Sequence, residues 1–346
     1  MSNDTHPAAS QARRAYRQAE SPLMDPNLAN LIMEMLSVSD LALVEIVSKG
    51  FQELVETVTK KQSISFFGRV VERKPGESWA TFLHFLMEMR RSPVSVAVGF
   101  RSVLVAPSTG DLWSWGNGAS GQLGHGDTQD QLVPRRVEAL AAERVVRVTA
   151  GSDHCVAVMS TGELWSWGDG GCGKLGHDDT EDQLVPRRVE ALAAERVVHA
   201  AVGTWHTLVV TSTGELWSWG LGDSGQLGHG DDTEIELVPM RVEAFAAERV
   251  VHAAAGDNHT LVVTSTGALW AWGEGEEGQL GHGYDTEDQL VPRRVEALAA
   301  EHVVHVAAAG NHTLAVTSTG ELWSWGSGMS GQLGHGDTED QLVPRR

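Results

Sequence analysis

The chain repeats one sequence unit five times. The motif Trp-x-Trp-Gly recurs at intervals of 52 or 53 residues and ends at Gly116, Gly168, Gly220, Gly273 and Gly326. A fixed period of this size indicates one supersecondary unit that is copied and packed against its neighbours. The repetition also argues against a conventional enzyme site, because catalysis needs residues that occur once.

Each unit predicts four short strands, which in the third unit lie at 197–202, 207–211, 215–219 and 237–242. In the third of these strands Trp217 and Trp219 share one face, so we expect them to supply apolar area between neighbouring units. The fourth strand contains Pro239, which is tolerated only in an edge strand or at a bulge. Four short antiparallel strands per period of about 50 residues are typical of a β-propeller blade.

Four sequence elements recur in a constant order over about 250 residues. They are Gly-x-x-His-Thr, Leu-Trp-Ser-Trp-Gly, Gly-Gln-Leu-Gly and Val-Pro. In order and spacing they resemble the repeat of the regulator of chromosome condensation family, which implies a β-propeller, usually of seven blades. This chain has five units, at 94–140, 146–192, 197–245, 250–298 and 303–346.

Blades shaped for a seven-fold ring leave a gap when there are five of them. We therefore expect a mainly β fold of five four-stranded blades, in an open or partly closed arc over 93–346.

The net charge of −20 is carried by residues 98–346, since acidic and basic residues balance over 1–97. Such a surface repels phosphate backbones, which disfavours direct nucleic-acid binding, and attracts basic protein partners.

No apolar run approaches the roughly 18 residues of a membrane span. The two cysteines provide no disulfide framework. We expect an intracellular protein of the cytoplasm or nucleus, without membrane contact.

Histidines recur in every unit after the first as His154, His206, His259 and His312, and again in each Leu-Gly-His element. Imidazole is a good metal ligand. However, equivalent residues of successive blades are spread around a ring and not gathered in one coordination sphere. We therefore predict structural roles for these histidines, with no metal, no cofactor and no catalytic residue.

The copies differ mainly in the Gly-rich loop that follows Trp-x-Trp-Gly. The candidate partner-binding residues there are Asn117, Ser120, Asp169, Cys172, Leu221, Asp223, Glu274, Glu276, Glu277 and Met329. If these loops share one face, they form a variable surface on a constant frame, and loops on rigid scaffolds commonly carry recognition. We expect this face to bind a protein. Drift at tolerant positions is the alternative.

The segment before the repeats predicts a disordered tail over 1–24 and a small helical domain over 25–92. Residues 28–55 resemble an F-box, although its usual Leu-Pro opening is absent. F-box helices dock on the Skp adaptor of cullin–RING ubiquitin ligases, which implies a set of adaptor-binding residues: Leu31, Ile32, Met35, Leu36, Leu41, Val47, Phe51 and Leu54. A helical bundle that caps the propeller is the alternative.

Together the two resemblances imply a non-catalytic protein-interaction scaffold. In its sharper form this is the substrate receptor of a cullin–RING ubiquitin ligase, with a Skp adaptor and a substrate as partners. The alternative is guanine-nucleotide exchange on a Ran-like small GTPase, which is the activity of the family's namesake.

Overall fold

In the computed structural model the chain divides into two compact units, Met1–Leu86 and Met87–Arg346. The structure describes residues 63–66, 69–72, 95–230 and 234–346. In the first unit the described residues form an antiparallel hairpin of β1 (Ser63–Phe66) and β2 (Arg69–Glu72). This hairpin is a β element within the span predicted to be a helical domain. The tail, the predicted helices and the adaptor-binding residues Leu31 to Leu54 lie outside the described residues.

The second unit contains five antiparallel sheets of four strands each, with the strands in chain order. Blade 1 is β3 (Ser95–Val98), β4 (Ser102–Ala106), β5 (Trp113–Gly116) and β6 (Gln131–Arg136). Blade 2 is β7 (Val145–Ala150), β8 (His154–Met159), β9 (Leu164–Gly168) and β10 (Gln183–Arg188). Blade 3 is β11 (Val197–Val202), β12 (His206–Thr211), β13 (Leu216–Leu221) and β14 (Ile235–Arg241).

Blade 4 is β15 (Val250–Ala255), β16 (His259–Thr264), β17 (Leu269–Gly273) and β18 (Gln289–Arg294). Blade 5 is β19 (Val303–Ala309), β20 (His312–Thr317), β21 (Leu322–Gly326) and β22 (Gln341–Arg345). The mainly β fold and the five four-stranded blades are thus confirmed, and each sheet begins and ends within or next to its predicted range.

The fourth strand of each blade is an edge strand, as its proline requires. In blade 3, β14 pairs only with β13, and the register shifts between Ser218 and Gly220. Pro239 lies in this irregular stretch, beside Met240, which pairs with Ser218. A residue without an N–H group is tolerated there because no further strand needs its hydrogen bond.

The glycine that ends each Trp-x-Trp-Gly motif is required by the backbone. Gly220 has a φ of +109°, in the region that residues with a side chain rarely adopt. A Cβ atom at this position would also lie 2.4 Å from the carbonyl oxygen of Trp205. The repeated glycine is therefore explained by the close approach of two turns within the blade.

Neighbouring blades meet through a leucine-rich face on one blade and a tryptophan face on the next. Between blades 1 and 2, Leu104 and Leu112 pack in one cluster with Ala157 and Trp167. The second tryptophan of the motif is fully buried in blades 2 to 5, at Trp167, Trp219, Trp272 and Trp325. In blades 2 to 5 the tryptophans lie between blades as expected, where each ring removes on the order of 150–250 Å² from water.

The leucine-rich face of blade 5 is not covered. Leu322 is 56 % exposed, whereas its counterparts Leu164, Leu216 and Leu269 are 1–2 % exposed. A Cβ atom at Gly334 would meet nothing within 4 Å, although the equivalent Gly281 abuts Trp325. The described residues thus hold four seams between blades, in agreement with the expectation of an arc that its five blades do not close.

The two tryptophans of one blade should differ in their contribution to stability. Trp219→Phe removes a buried donor and a fully packed ring edge, and we expect it to lower the free energy of unfolding by about 3 kcal/mol. Trp217 is partly exposed and its Nε1 atom has no partner, so Trp217→Phe should cost about 1 kcal/mol or less. Urea unfolding of both variants measures the difference, and equal losses would contradict this account of the seam.

Candidate functional site

One backbone carbonyl joins each blade to the next. Between blades 3 and 4 it is the carbonyl of Gln226, in the Gly-Gln-Leu-Gly loop. Its oxygen accepts hydrogen bonds from Trp272 Nε1 at 2.9 Å and from Thr260 Oγ1 at 2.8 Å. The Thr260 hydroxyl is in turn 2.9 Å from Nε2 of His206. We call this arrangement the seam latch, and it uses the His and Thr of Gly-x-x-His-Thr, the second Trp of Trp-x-Trp-Gly and the Gln carbonyl of Gly-Gln-Leu-Gly.

The seam latch recurs with small variations at the other seams. The Trp325 and Thr313 pair donates to the carbonyl of Gln279, and the Trp219 and Thr207 pair donates to that of Lys174. Between blades 1 and 2 the threonine is replaced by Cys155, whose Sγ lies 3.4 Å from the carbonyl oxygen of Gln122. This cysteine is buried, and burial raises the pKa of its thiol far above the ordinary value. It is therefore a packing residue and not a nucleophile.

The seam latch fixes the protonation of its histidine. Because the Thr260 hydroxyl gives its proton to the carbonyl, it can only accept from the His206 ring, which must carry its proton on Nε2. The other nitrogen, Nδ1, has no partner in His154, His206 or His259. Burial lowers the pKa of His154 and His259 to about 3 and that of His206 to about 4. These rings are neutral at pH 7.

The second recurring histidine closes the loop within its own blade. Ser166 Oγ donates to the carbonyl of Leu175 at 2.7 Å and lies 3.0 Å from Nε2 of His177. Blades 1, 3 and 5 repeat this arrangement, and in blade 4 His282 contacts the carbonyl of Ala271 instead. Among the described residues no group of three His, Cys, Asp or Glu side chains is placed to hold a metal ion. Both recurring histidines are thus bonded within the propeller frame.

The variable loops lie at the same end of every blade. Each begins with a backbone N–H that donates to the turn between the first two strands, as from Leu221 to Trp205 and from Glu274 to Asn258. We define the loop face as these variable loops, 117–120, 169–172, 221–224, 274–277 and 327–330, together with the turn residues 100–101, 152–153, 204–205, 257–258 and 311. Neighbouring turns are also joined directly, since Thr204 donates to Asp257 at 2.6 Å.

The structure divides the predicted partner-binding residues into three groups. Asn117 and Asp169 serve the frame, because Asn117 bonds to Asp130 and Gln122, and Asp169 pairs with Lys174. Asp223, Glu276 and Met329 are exposed. The remaining residues, which are Ser120, Cys172, Leu221, Glu274 and Glu277, are half-buried.

The turns contribute exposed aromatic residues that the loop comparison missed. Phe100 is 73 % exposed, and the Arg101 guanidinium lies 5.1 Å from its ring centroid. Trp205 is 39 % exposed, and the Lys174 ammonium lies 4.8 Å from its ring centroid. The sequence could have indicated these residues, since the turn between the first two strands differs between the copies as much as the neighbouring loop does.

Lys174 replaces the usual glutamine of the Gly-Gln-Leu-Gly loop and is 1 % exposed. Its ammonium group pairs with Asp169 at 2.5 Å. Burial opposes ionisation of Asp169, but the hydrogen bonds from Lys174 and from the Gly171 backbone, with the lysine charge, hold the pKa of Asp169 below its usual range. The buried cation is thus compensated by a carboxylate and an aromatic ring.

The loop face is acidic at blades 3 and 4, where Asp223, Asp257, Glu274, Glu276 and Glu277 lie. Partial burial raises the pKa of Glu274, and the charges of Asp288, Glu276 and Glu277 act in the same direction, against a weak hydrogen bond from Asn258. Blade 1 contributes a cation at Arg101. The charge of the loop face therefore changes along the row of blades.

These features define a repeat-built β-propeller with a uniform interior and one variable face. The profile of the RCC1-like domain matches residues 43–346, and the chain belongs to this family. The match begins within the span that the sequence analysis assigned to a helical domain.

Similar proteins include the Ultraviolet-B receptor UVR8 of Arabidopsis thaliana, which is 45 % identical over 244 residues covering 70 % of this chain and 55 % of the receptor. The human E3 ubiquitin-protein ligase HERC2 is 38 % identical over 270 residues, which cover 78 % of this chain and 6 % of HERC2. The chain thus spans about half the length of UVR8 and a small part of HERC2. The crystal structure of human WBSCR16 matches with a TM-score of 0.67 and 27 % identity, over 72 % of this chain and 66 % of that one.

The helical elements of the blades are single turns of three residues, such as Glu243–Phe245. Within the described part of the chain no helix has the length and apolar character needed to cross a bilayer.

The seam latch can be tested at its central hydroxyl. Thr260→Val leaves the His206 Nε2 donor unsatisfied and removes one donor from the Gln226 carbonyl, so we expect a loss of about 2–3 kcal/mol in the free energy of unfolding. Thr260→Ser keeps the hydroxyl and loses one methyl group, which should cost about 1 kcal/mol. Chemical denaturation compares the two variants. A serine variant as unstable as the valine variant would show that packing, and not the hydroxyl, matters here.

The buried histidines predict a loss of stability in mild acid. Their folded-state pKa values, about 3 to 4, lie below the unfolded value near 6.5. The unfolded state therefore binds more protons as the pH falls below about 6.5, and each histidine should cost up to about 1.4 kcal/mol per pH unit until its folded pKa is reached. Urea midpoints between pH 7 and pH 5, where most carboxylates stay ionised, measure this slope. His259→Gln should reduce it, and an unchanged slope would contradict the assignment.

Proposed function

We propose that this chain is a non-catalytic scaffold that binds a protein partner through the loop face. The observation that supports this proposal is that, within each blade, one set of side chains builds the frame and a different set forms the exposed surface. The recurring His, Thr and Ser side chains and the second Trp of each motif are engaged in seam latches and loop closures, and burial holds the rings of His154, His206 and His259 neutral. Exposed side chains that differ between copies, such as Phe100, Trp205 and Met329, lie on the loop face.

The exposed chemistry of the loop face also suits protein recognition. Phe100, Trp205 and Met329 present apolar or aromatic surface, with exposures of 73 %, 39 % and 69 %. Aromatic residues, Met and Arg are enriched at protein interfaces. Arg101 beside Phe100 and the acidic residues of blades 3 and 4 add charge to the same face, which favours specificity and fast association.

In its finer form the proposal makes the chain a substrate receptor of a cullin–RING ubiquitin ligase. The loop face would hold the substrate, and the residues from Leu31 to Leu54 would hold a Skp adaptor. The support is the F-box resemblance of residues 28–55. The relative HERC2 is itself named a ubiquitin ligase, but the match covers only a small part of it. Binding of the full chain to purified Skp adaptor tests this form. The Leu36→Asp variant should bind the adaptor more weakly.

Guanine-nucleotide exchange on a Ran-like GTPase is the alternative, because it is the activity of the family's namesake. Exchange requires a wedge that displaces the bound nucleotide, and Phe100 beside Arg101 is the exposed group on the loop face that fits such a role. Release of labelled nucleotide from a purified Ran-like GTPase tests it. Acceleration by the full chain that is lost in Phe100→Ala would replace the scaffold proposal with this one.

The scaffold proposal predicts that partners depend on the loop face. We expect a tagged full chain to lose its specific partners when Trp205→Ala, Glu276→Lys and Met329→Asp are combined, since these changes remove aromatic, charged and apolar contacts from three blades. Quantitative affinity purification from cell extract measures the loss.

The matched control changes exposed residues outside the loop face, with Leu132→Lys, Glu190→Lys and Val291→Asp on outer strands and 3-10 turns. Circular dichroism confirms that both variants are folded. Partners that survive the loop-face variant and disappear with the control variant would place the binding surface on the outer edge and overturn the proposal.

A further inference from the structure

The same two kinds of face meet at all four seams between neighbouring blades. On the leucine-rich face of the earlier blade, the two glycines of Gly-Gln-Leu-Gly leave room for side chains of the later blade's tryptophan face. A Cβ atom at Gly278 would lie 2.7 Å from Cδ2 of Leu342, and one at Gly281 would lie 2.9 Å from Nε1 of Trp325. The leucine contact recurs where Gly121, Gly173 and Gly225 face Leu184, Leu237 and Leu290.

Blade 5 presents a leucine-rich face that is open. Leu322 is 56 % exposed. Gln332 is exposed as well, although its counterparts are at most 1 % exposed, namely Gln122, Gln226 and Gln279. A Cβ atom at Gly331 would approach the carbonyl oxygen of Asp337 at 4.0 Å, in the same blade. The Gln332 carbonyl corresponds to the acceptor of the seam latch, and among the described residues no later blade supplies its donors.

Blade 1 presents the opposite half of a seam, a tryptophan face that is also open. Leu132, the counterpart of Leu342, is 92 % exposed. Val96 is 60 % exposed, whereas the residues at its position in the other blades are 2–7 % exposed, namely Val148, Ala200, Ala253 and Val306. Trp115 is half-buried, although the second tryptophan of each later blade is fully buried.

The exposed side chains of blade 1 form a continuous apolar surface. Val103 pairs with Val98 on one side and with Trp115 on the other, so the three residues make a row across the sheet. Val105 joins Val96 and Trp113 in a parallel row. An exposed apolar patch of this kind marks an interaction site.

We propose that the open leucine-rich face of blade 5 binds the open tryptophan face of blade 1 in a second copy of this chain. Trp115 Nε1 of one copy donates to the Gln332 carbonyl of the other, and Leu132 packs on Gly331. The contact continues an interface that the chain already forms four times, so it requires no new geometry. The inference rests on the seams and does not depend on the loop face.

A second copy fits better than an unrelated apolar segment, because the two open faces are matching halves of one interface. An apolar segment could cover Leu322 without supplying a donor to the Gln332 carbonyl, whereas an indole N–H takes this place at all four seams. The two faces differ from each other, so the contact is heterologous and the copies associate head to tail.

The contact between copies lacks one part of the seam latch. Blade 1 has Val103 at the position of Thr260, so no hydroxyl links the Gln332 carbonyl to His312, the counterpart of His206. The contact is therefore weaker than an internal seam, and the net charge of −20 on each copy opposes it further. We expect reversible association at micromolar concentrations and physiological salt.

The first experiment supplies the missing hydroxyl. Val103→Thr should lower the dissociation constant between copies about five-fold, because the hydroxyl can donate to the Gln332 carbonyl and accept from His312. Sedimentation velocity of the full chain over a range of micromolar concentrations measures it. General hydrophobic attraction predicts the opposite sign, since threonine makes the face less apolar. The matched control is Val251→Thr, at a position in blade 4 that is 46 % exposed, and it should leave the association unchanged.

The second experiment uses the direction of a head-to-tail contact. Leu322→Glu places a charge on the leucine-rich face and Leu132→Glu places one on the tryptophan face, so each variant alone should be monomeric. Their equimolar mixture should form dimers and no larger species, because each variant keeps the face that the other has lost. Tyr284→Glu is the control, since this blade 4 side chain is 98 % exposed and lies outside both faces. It should associate like the unaltered chain.

Circular dichroism establishes that all variants are folded. A full chain that stays monomeric over the whole concentration range would overturn the proposal, as would weaker or unchanged association of Val103→Thr. Association that persists in either glutamate variant alone, or a mixture that forms no dimer, would place the contact elsewhere and overturn it as well. None of these outcomes bears on partner binding by the loop face, which the variants leave unaltered.

Discussion

The fold depends on a backbone carbonyl that accepts two hydrogen bonds across each seam. At the blade 3–4 seam, Trp272 and Thr260 donate to the carbonyl of Gln226, and His206 completes the arrangement through the threonine hydroxyl. A buried carbonyl and a buried indole N–H satisfy one another there, within an apolar contact formed by leucine and tryptophan. Because this geometry must recur at every seam, the same residues recur in the sequence.

This constraint also determines where function can reside. The histidines of the seam latch are neutral, lack access to solvent and hold a fixed tautomer, so they are unsuited to proton transfer or metal binding. The seam latch does not restrict which side chains the neighbouring variable loop carries, provided that the loop keeps its glycines. The loop face is the part of each blade that can change without loss of the seam, and it is where aromatic, apolar and acidic residues differ between copies.

The period and the strand alternation predicted most of the propeller. The position of Pro239 in an edge strand and the placement of Trp217 and Trp219 between blades followed from the pattern. The seam latch could not be predicted, because it depends on a main-chain carbonyl whose direction the sequence does not encode. For the same reason Asn117 and Asp169 looked like free recognition residues, whereas each is bonded to its own frame. The adaptor-binding residues stay a prediction, and the hairpin of β1 and β2 was not anticipated.

The most direct measurement of the seam latch is nitrogen-15 NMR of the histidine rings at neutral pH. The account predicts that His154, His206 and His259 are neutral, with the proton on Nε2 and an unbonded Nδ1, and that they remain so when the pH is lowered to 5. Protonated rings at pH 5, or rings that carry their proton on Nδ1, would contradict it. With the proton on Nδ1 the Nε2 atom could only accept, and the threonine hydroxyl could not serve both the imidazole and the carbonyl. A ring protonated at pH 5 would keep the Nε2 donor but would contradict the burial that holds it neutral.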